Sequence, residues 1–112
     1  MLPRVKIFYN VKSNSDEQVI KKCIKCGLGF GASSVGEIKH CLDLGCTAEN
    51  IIFGNPIKTP LQLAYAKNSD VKILTFDNKE ELLKIKESYP DSECMIRIST
   101  NTEKFGVDPE EV

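Results

Sequence analysis

Lys12 is the residue in this chain whose surroundings could do chemistry. It follows the β-prone run Phe8-Tyr9-Asn10-Val11, and Ser13-Asn14-Ser15 then offers a helix start. A lysine at the carboxyl end of a buried strand can be held in a partly dry site, where its pKa falls and its amine becomes a nucleophile toward an aldehyde. The bland alternative is a solvated strand-end lysine. Two further charged residues are placed to act near strand ends. Arg97 follows a later β-prone run and could equally neutralise Asp77 or Glu37. Glu37 stands three residues after Ser34, the spacing of a capping box. Five cysteines, an odd number, fit reduced thiols. Cys23-Ile24-Lys25-Cys26 has a CxxC spacing, but Cys41 and Cys46 lie five apart and the sole histidine, His40, falls in a helical pattern. The CxxC pair also lies late in a helix rather than at its start, where thiolates are stabilised. No metal site is expected, and His40 reads as a helix-surface residue.

These residues need a scaffold. The chain has 112 residues, enough for one domain, with 41% apolar and 28% charged residues, a globular composition. A net charge of −1 gives no basic field for nucleic acid. No apolar run approaches the ~20 residues of a membrane span. The start Met1-Leu2-Pro3-Arg4 lacks a signal-peptide core, so the expected location is cytoplasmic.

Hydrophobic periodicity predicts strands over Val5–Val11, Leu28–Ser33, Asn50–Gly54, Val71–Phe76 and Cys94–Ile98. Helices are predicted between them. The first is capped by Ser15 or Asn14, carries the stripe Val19, Ile20, Cys23 and Ile24, and stops at Gly27. The second is capped by Ser34, buries Ile38, Cys41 and Leu42, and stops at Gly45. The third is capped by Thr59 with Pro60 at its first position, after a turn forced by Asn55-Pro56. The fourth is capped by Asp77 or Asn78 and buries Leu82, Leu83 and Ile85. Its charges, Lys79, Glu80, Glu81, Lys84 and Lys86, read as a solvated face. The polar stretch Ser99–Lys104 follows, then Phe105-Gly106 and a further helix start at Asp108-Pro109-Glu110. Phe8, Phe30, Phe53 and Phe76 recur at steps of 22, 23 and 23, a repeat of supersecondary units.

Alternating strands and helices imply an α/β fold with parallel strands, whose carboxyl ends gather on one side. An open doubly wound sheet and part of a barrel both fit. The first strand lacks the glycine-rich turn of a dinucleotide site, which favours the barrel. Five (β/α) units are about five of the eight of a TIM barrel.

The residues also resemble a known family. Leu2-Pro3-Arg4-Val5, Phe8 to Asn14, Gly29-Phe30-Gly31-Ala32-Ser33-Ser34 with Glu37, Ile51 to Lys58, Thr75-Phe76-Asp77-Asn78, Arg97-Ile98-Ser99-Thr100 and Lys104-Phe105-Gly106 look like the barrel of eukaryotic ornithine decarboxylases and antizyme inhibitors. That fold type is shared with alanine racemase. The resemblance implies a partial barrel over residues 1–112 that binds pyridoxal 5'-phosphate, without the family's carboxyl-terminal β domain. Lys12 matches the lysine that bonds the cofactor aldehyde. Glu37 matches a carboxylate near the cofactor, and Arg97 an arginine beside it. The implied reaction is decarboxylation of ornithine to putrescine in polyamine synthesis, and the implied partners are ornithine, a second copy of the chain, or antizyme.

Three departures qualify the match. Gly31 stands where active members carry aspartate, a position antizyme inhibitors also lack. The loop between Thr100 and Lys104 is short. The sequence stops at Val112, before the positions of the phosphate site, the ring-stacking histidine and the acid that pairs with the pyridine nitrogen. The expectation is therefore a decarboxylase barrel that is inactive as this chain alone. The alternatives are a non-catalytic, antizyme-inhibitor-like interaction protein and a degenerate fragment. The segment matching the antizyme-docking surface runs from Ile57 to Lys84. It includes Glu81 and Lys84, with Ala64 where a lysine is expected.

Overall fold

The computed structural model describes residues 6–98. The predicted strand start at Val5, the polar stretch from Ser99 and the helix start at Asp108 lie outside the described residues. Among the described residues five strands alternate with four α-helices: β1 Phe8–Asn10, α1 Glu17–Lys25, β2 Gly29–Ala32, α2 Val35–Asp43, β3 Ile51–Phe53, α3 Pro60–Asn68, β4 Ile73–Phe76, α4 Lys79–Ser88 and β5 Glu93–Ile96.

Local signals set most boundaries. Gly27 and Gly45 end α1 and α2 with φ of 78° and 106°, the left-handed region that a side chain disfavours. Thr59 caps α3 with a complete capping box to Gln62 and Pro60 behind it. Asn78, not Asp77, caps α4. At α1 the cap is Asp16, whose carboxylate accepts from the Gln18 and Val19 amides. Asn14 acts one step earlier, accepting the Asp16 amide at 2.9 Å. Neither Asn14 nor Ser15 is the cap, because the chain first makes a tight 3-10 turn over Val11–Ser13. Lys12 therefore sits in that turn and not in the strand.

Every strand pair is parallel and the sheet order is β1-β2-β3-β4-β5. A doubly wound sheet reverses its order at a switch point. Here the order never reverses, and right-handed crossovers then put all four helices on one face, as in a segment of a (β/α) barrel. The core confirms this. Phe30, Ala32, Ile51, Phe53 and Leu74 from one sheet face pack with Ile20, Ile38, Cys41, Leu63, Ala66 and Ile85 from the helices. Tyr9 meets the edge of Phe30 at 6.2 Å between ring centres. Among the described residues, no helix is long and apolar enough to cross a membrane.

The phenylalanine repeat is only partly structural. Phe30 and Phe53 are fully buried on the helix side, and Phe76 packs against that core. Phe8 pairs with Gly29 and lies on the opposite face, since side chains alternate along a strand. A Cβ at Gly29 would overlap the Phe8 ring, so the missing side chain makes room for that ring.

Helix α4 also departs from the predicted pattern. Leu83 is 51% exposed, whereas Glu81 is only 3% exposed. The helix turns its 81–85–89 row inward, and Glu81 can sit in that row because two lysines meet its carboxylate.

Candidate functional site

The helices start where the strands end, so the carboxyl edge of the sheet faces four helix N-termini. The field there favours negative charge. At this edge a cavity of about 290 Å³ is lined by Phe8, Asn10, Lys12, Gly31, Ala32, Ser33, Gly54 and Arg97. Lys12 and Arg97, 85 positions apart, share it because β1 and β5 end at the same edge. Lys12 reaches it from the 3-10 turn and is exposed. Arg97 is half-buried, and its amide donates to Phe76 O at 2.9 Å, which continues the β4–β5 ladder. Among the described residues no carboxylate lines the cavity. A Cβ at Gly31 would meet nothing nearer than Tyr9 O at 4.0 Å. The cleft thus brings the Lys12 amine, the Arg97 guanidinium and two glycines to one edge of the sheet.

Glu37 is not in this cleft. Its carboxylate accepts from the Ser33 amide at 2.9 Å and from the Ser33 hydroxyl at 3.2 Å. The Ser34 hydroxyl accepts the Glu37 amide at 3.1 Å, so half of the expected capping box forms. The return bond goes to Ser33 rather than Ser34. Glu37 opens instead onto a neighbouring cavity of about 430 Å³, with Val11, Ser15, Ser34, Gly36 and His40. His40 is half-buried, and its Nε2 lies 2.9 Å from Ser15 O, tying α2 to the start of α1. Among the described residues no ion pair joins Arg97 to Asp77 or Glu37.

A larger cavity, about 560 Å³, opens where the strands begin, among Thr47, Ala48, Glu49, Asp70, Lys72, Ile73 and Glu93. Folds of this type place chemistry at the carboxyl ends of strands, and residues at the other end serve stability.

The buried lysine is Lys58, which sequence reasoning passed over. Its side chain is 0% exposed. Its Nζ lies 2.9 Å from Glu81 Oε2 and donates to Asn55 O at 3.0 Å and Thr75 O at 2.5 Å. Its amide donates to Glu81 Oε2 at 3.2 Å. Lys84 lies 2.6 Å from Glu81 Oε1 and also donates to Lys58 O. Burial pushes the Lys58 ammonium down, and Glu81 opposes that shift. Burial alone would raise the Glu81 carboxyl, but hydrogen bonds and charges from Lys84 and Lys58 hold it below the ordinary carboxylate range. The charged stretch of α4 is thus not simply a solvated face. The phase of Glu81 with Ile85 was the available signal.

Among the described residues no group of three or more His, Cys, Asp or Glu side chains is placed to hold a metal ion. All five cysteines are free. Burial pushes the Cys41 thiol up to about 11 and raises Cys46.

Comparison with known proteins identifies the family. A family profile described as pyridoxal-dependent decarboxylase, pyridoxal binding domain, matches residues 1–109. Ornithine decarboxylase of Schizosaccharomyces pombe is 41% identical over 100 residues, covering 89% of this chain and 23% of that protein. Antizyme inhibitor 2 of Xenopus laevis is 43% identical over 103 residues, covering 92% of this chain and 23% of that protein. The crystal structure of Paramecium bursaria Chlorella virus arginine decarboxylase bound to agmatine superposes with a TM-score of 0.89 at 35% identity, over 98% of this chain and 32% of that one. The chain spans about a quarter of the length of these curated relatives.

Proposed function

Because the chain belongs to the family of pyridoxal-dependent decarboxylases, within their pyridoxal-binding domain, we propose that its cleft is the aldehyde-binding corner of a pyridoxal 5'-phosphate site. The observation that carries this reading is the shared lining of one cavity by Lys12 and Arg97. The residues present fit the aldehyde end of the cofactor. Lys12 offers the amine, and Gly31 and Gly54 leave space beside it. When bound, the cofactor ring supplies an electron sink for a carbanion.

The roles of the protein groups follow from their positions. Lys12 would hold the cofactor at its aldehyde end, and its ammonium must first shed a proton to act as a nucleophile. Arg97, fixed by the β4–β5 ladder, supplies positive charge against an anionic ligand. Glu37 acts on the cleft through Ser33, whose amide and hydroxyl it holds. In the whole protein the reading implies decarboxylation of a basic amino acid, ornithine by likeness, with a second copy of the chain as partner. The 112-residue chain alone is expected to bind the cofactor weakly and not to turn over.

The test is a titration of the purified chain with pyridoxal 5'-phosphate, followed by visible absorption, for the natural sequence and Lys12→Ala. A band lost in Lys12→Ala supports the reading. An identical band in both refutes it.

One observation favours a second reading, a non-catalytic relative of the antizyme inhibitors. Among the described residues no carboxylate lines the cleft, and Gly31 stands where active relatives are expected to carry aspartate. On this reading the chain docks antizyme through the segment from Ile57 to Lys84. Glu81 is turned inward there, so the contact would fall to its neighbours. Retention of the chain by immobilised antizyme supports this reading, and no retention counts against it.

A further inference from the structure

We propose that Lys58 is a positioning residue, which through its triad with Glu81 and Lys84 clamps the ends of β3 and β4 and thereby sets the two walls of the Lys12 cleft. The proposal rests on reading that cleft as a ligand site. Pairing between β3 and β4 ends at Phe53 and Leu74. Beyond that point β3 stays tied to β2, the Gly54 amide donating to Ala32 O at 2.6 Å as the next rung of that ladder. The gap to β4 is spanned by side chains. Thr75 Oγ1 donates to Phe53 O at 3.1 Å, and the Lys58 ammonium joins Asn55 O to Thr75 O.

Both tied segments lead directly into the cleft. On one side Gly54, next to Asn55, lines it. On the other, Thr75 is followed by Phe76, whose carbonyl accepts the Arg97 amide at 2.9 Å. A shift of the Lys58 clamp therefore moves the glycine wall and the arginine wall together. A charged clamp can do this where a hydrophobic contact would not, because each donor points at one named oxygen. Among the described residues the titratable groups that act on Lys58 are Glu81 and Lys84 on α4 and, most weakly, the Cys94 thiol on β5. Protonation of Glu81 removes the only carboxylate of the set, so acid loosens the clamp.

The experiment is residue-resolved amide hydrogen exchange on the 112-residue chain, natural sequence against Lys58→Met and the isosteric Glu81→Gln, at neutral and acid pH. The amides read are Gly54 and Arg97, with the Gly29 amide, bonded to Ile7 O across β1 and β2, as control. Gly54 and Arg97 should exchange about tenfold faster relative to Gly29 in either variant, the factor set by one lost charge-assisted hydrogen bond. The natural chain should show the same loosening in acid, and Glu81→Gln should show no further acid step. Unchanged ratios overturn the proposal. So does equal acceleration of all three amides, which would mark the triad as general stabilisation. No aldehyde enters this measurement. A chain that fails to bind pyridoxal 5'-phosphate yet shows the selective loosening sinks the cofactor reading and keeps the clamp.

Discussion

Removing one member of the Lys58–Glu81–Lys84 triad should not cost the same for each member, and the order follows from charge. The triad sums to +1. Lys58→Met leaves Glu81 paired with Lys84, a neutral pair whose lysine is 33% exposed. Glu81→Gln leaves two ammonium groups around one neutral amide, and one of them is 0% exposed. At an effective dielectric constant near 20, the Lys58–Glu81 contact at 2.9 Å has a gross attraction of about 6 kcal/mol. Desolvation offsets much of it. What remains is the penalty of stranding a buried charge, about 3–5 kcal/mol for Glu81→Gln. Lys58→Met strands no charge but unpairs Asn55 O and Thr75 O, which costs about 1–3 kcal/mol. A domain of this size holds only about 5–15 kcal/mol in total, so both losses are measurable by urea unfolding. The expected order of midpoints is natural sequence, then Lys58→Met, then Glu81→Gln. A Lys58→Met midpoint below that of Glu81→Gln would refute the charge argument, and two unchanged midpoints would refute the burial of the triad.

Other outcomes follow from the same structure. Glu81 has a folded-state carboxyl below the ordinary value of 4.5. Its contribution to stability is therefore complete above that value and is lost as pH falls through the lower folded-state value, so an acid unfolding series should be flatter for Glu81→Gln. Gly29→Ala places a Cβ onto the Phe8 ring and 2.9 Å from Asn50 O; calorimetry should find a loss of about 1–3 kcal/mol from overpacking. Cys26 and Cys94 are exposed and Cys41 is buried with a thiol raised to about 11. A thiol reagent at neutral pH should modify the first two and spare Cys41, as read by peptide mapping.

Much of this fold is written in local signals. Asn78, Thr59 and Ser34 cap their helices, glycines close α1 and α2, and β-branched and aromatic runs form the strands. The order of these pieces was enough to bring Lys12 and Arg97 to one edge. What the sequence hid depends on contacts made across the chain. Lys58 follows a proline turn and would pass as a solvated lysine. Only its three acceptors, from residues 55, 75 and 81, bury it. Glu81 lies in a run of charges, and its inward phase matters only because two lysines meet it. Phe8 belongs to a regular spacing, yet a 3-10 turn and the register to Gly29 put it on the other face. Glu37 had the spacing of a capping box, but Ser33 offers two donors and captures the carboxylate.

In the proposed function the cleft shared by Lys12 and Arg97 directs an aldehyde to one amine. The direct measurement treats the chain with pyridoxal 5'-phosphate, fixes the product with borohydride and maps the modified peptides by mass. Label is expected at Lys12, lost in Lys12→Ala and reduced in Arg97→Met. Label spread over the exposed lysines of α1 and α4, or unchanged by Arg97→Met, would contradict it.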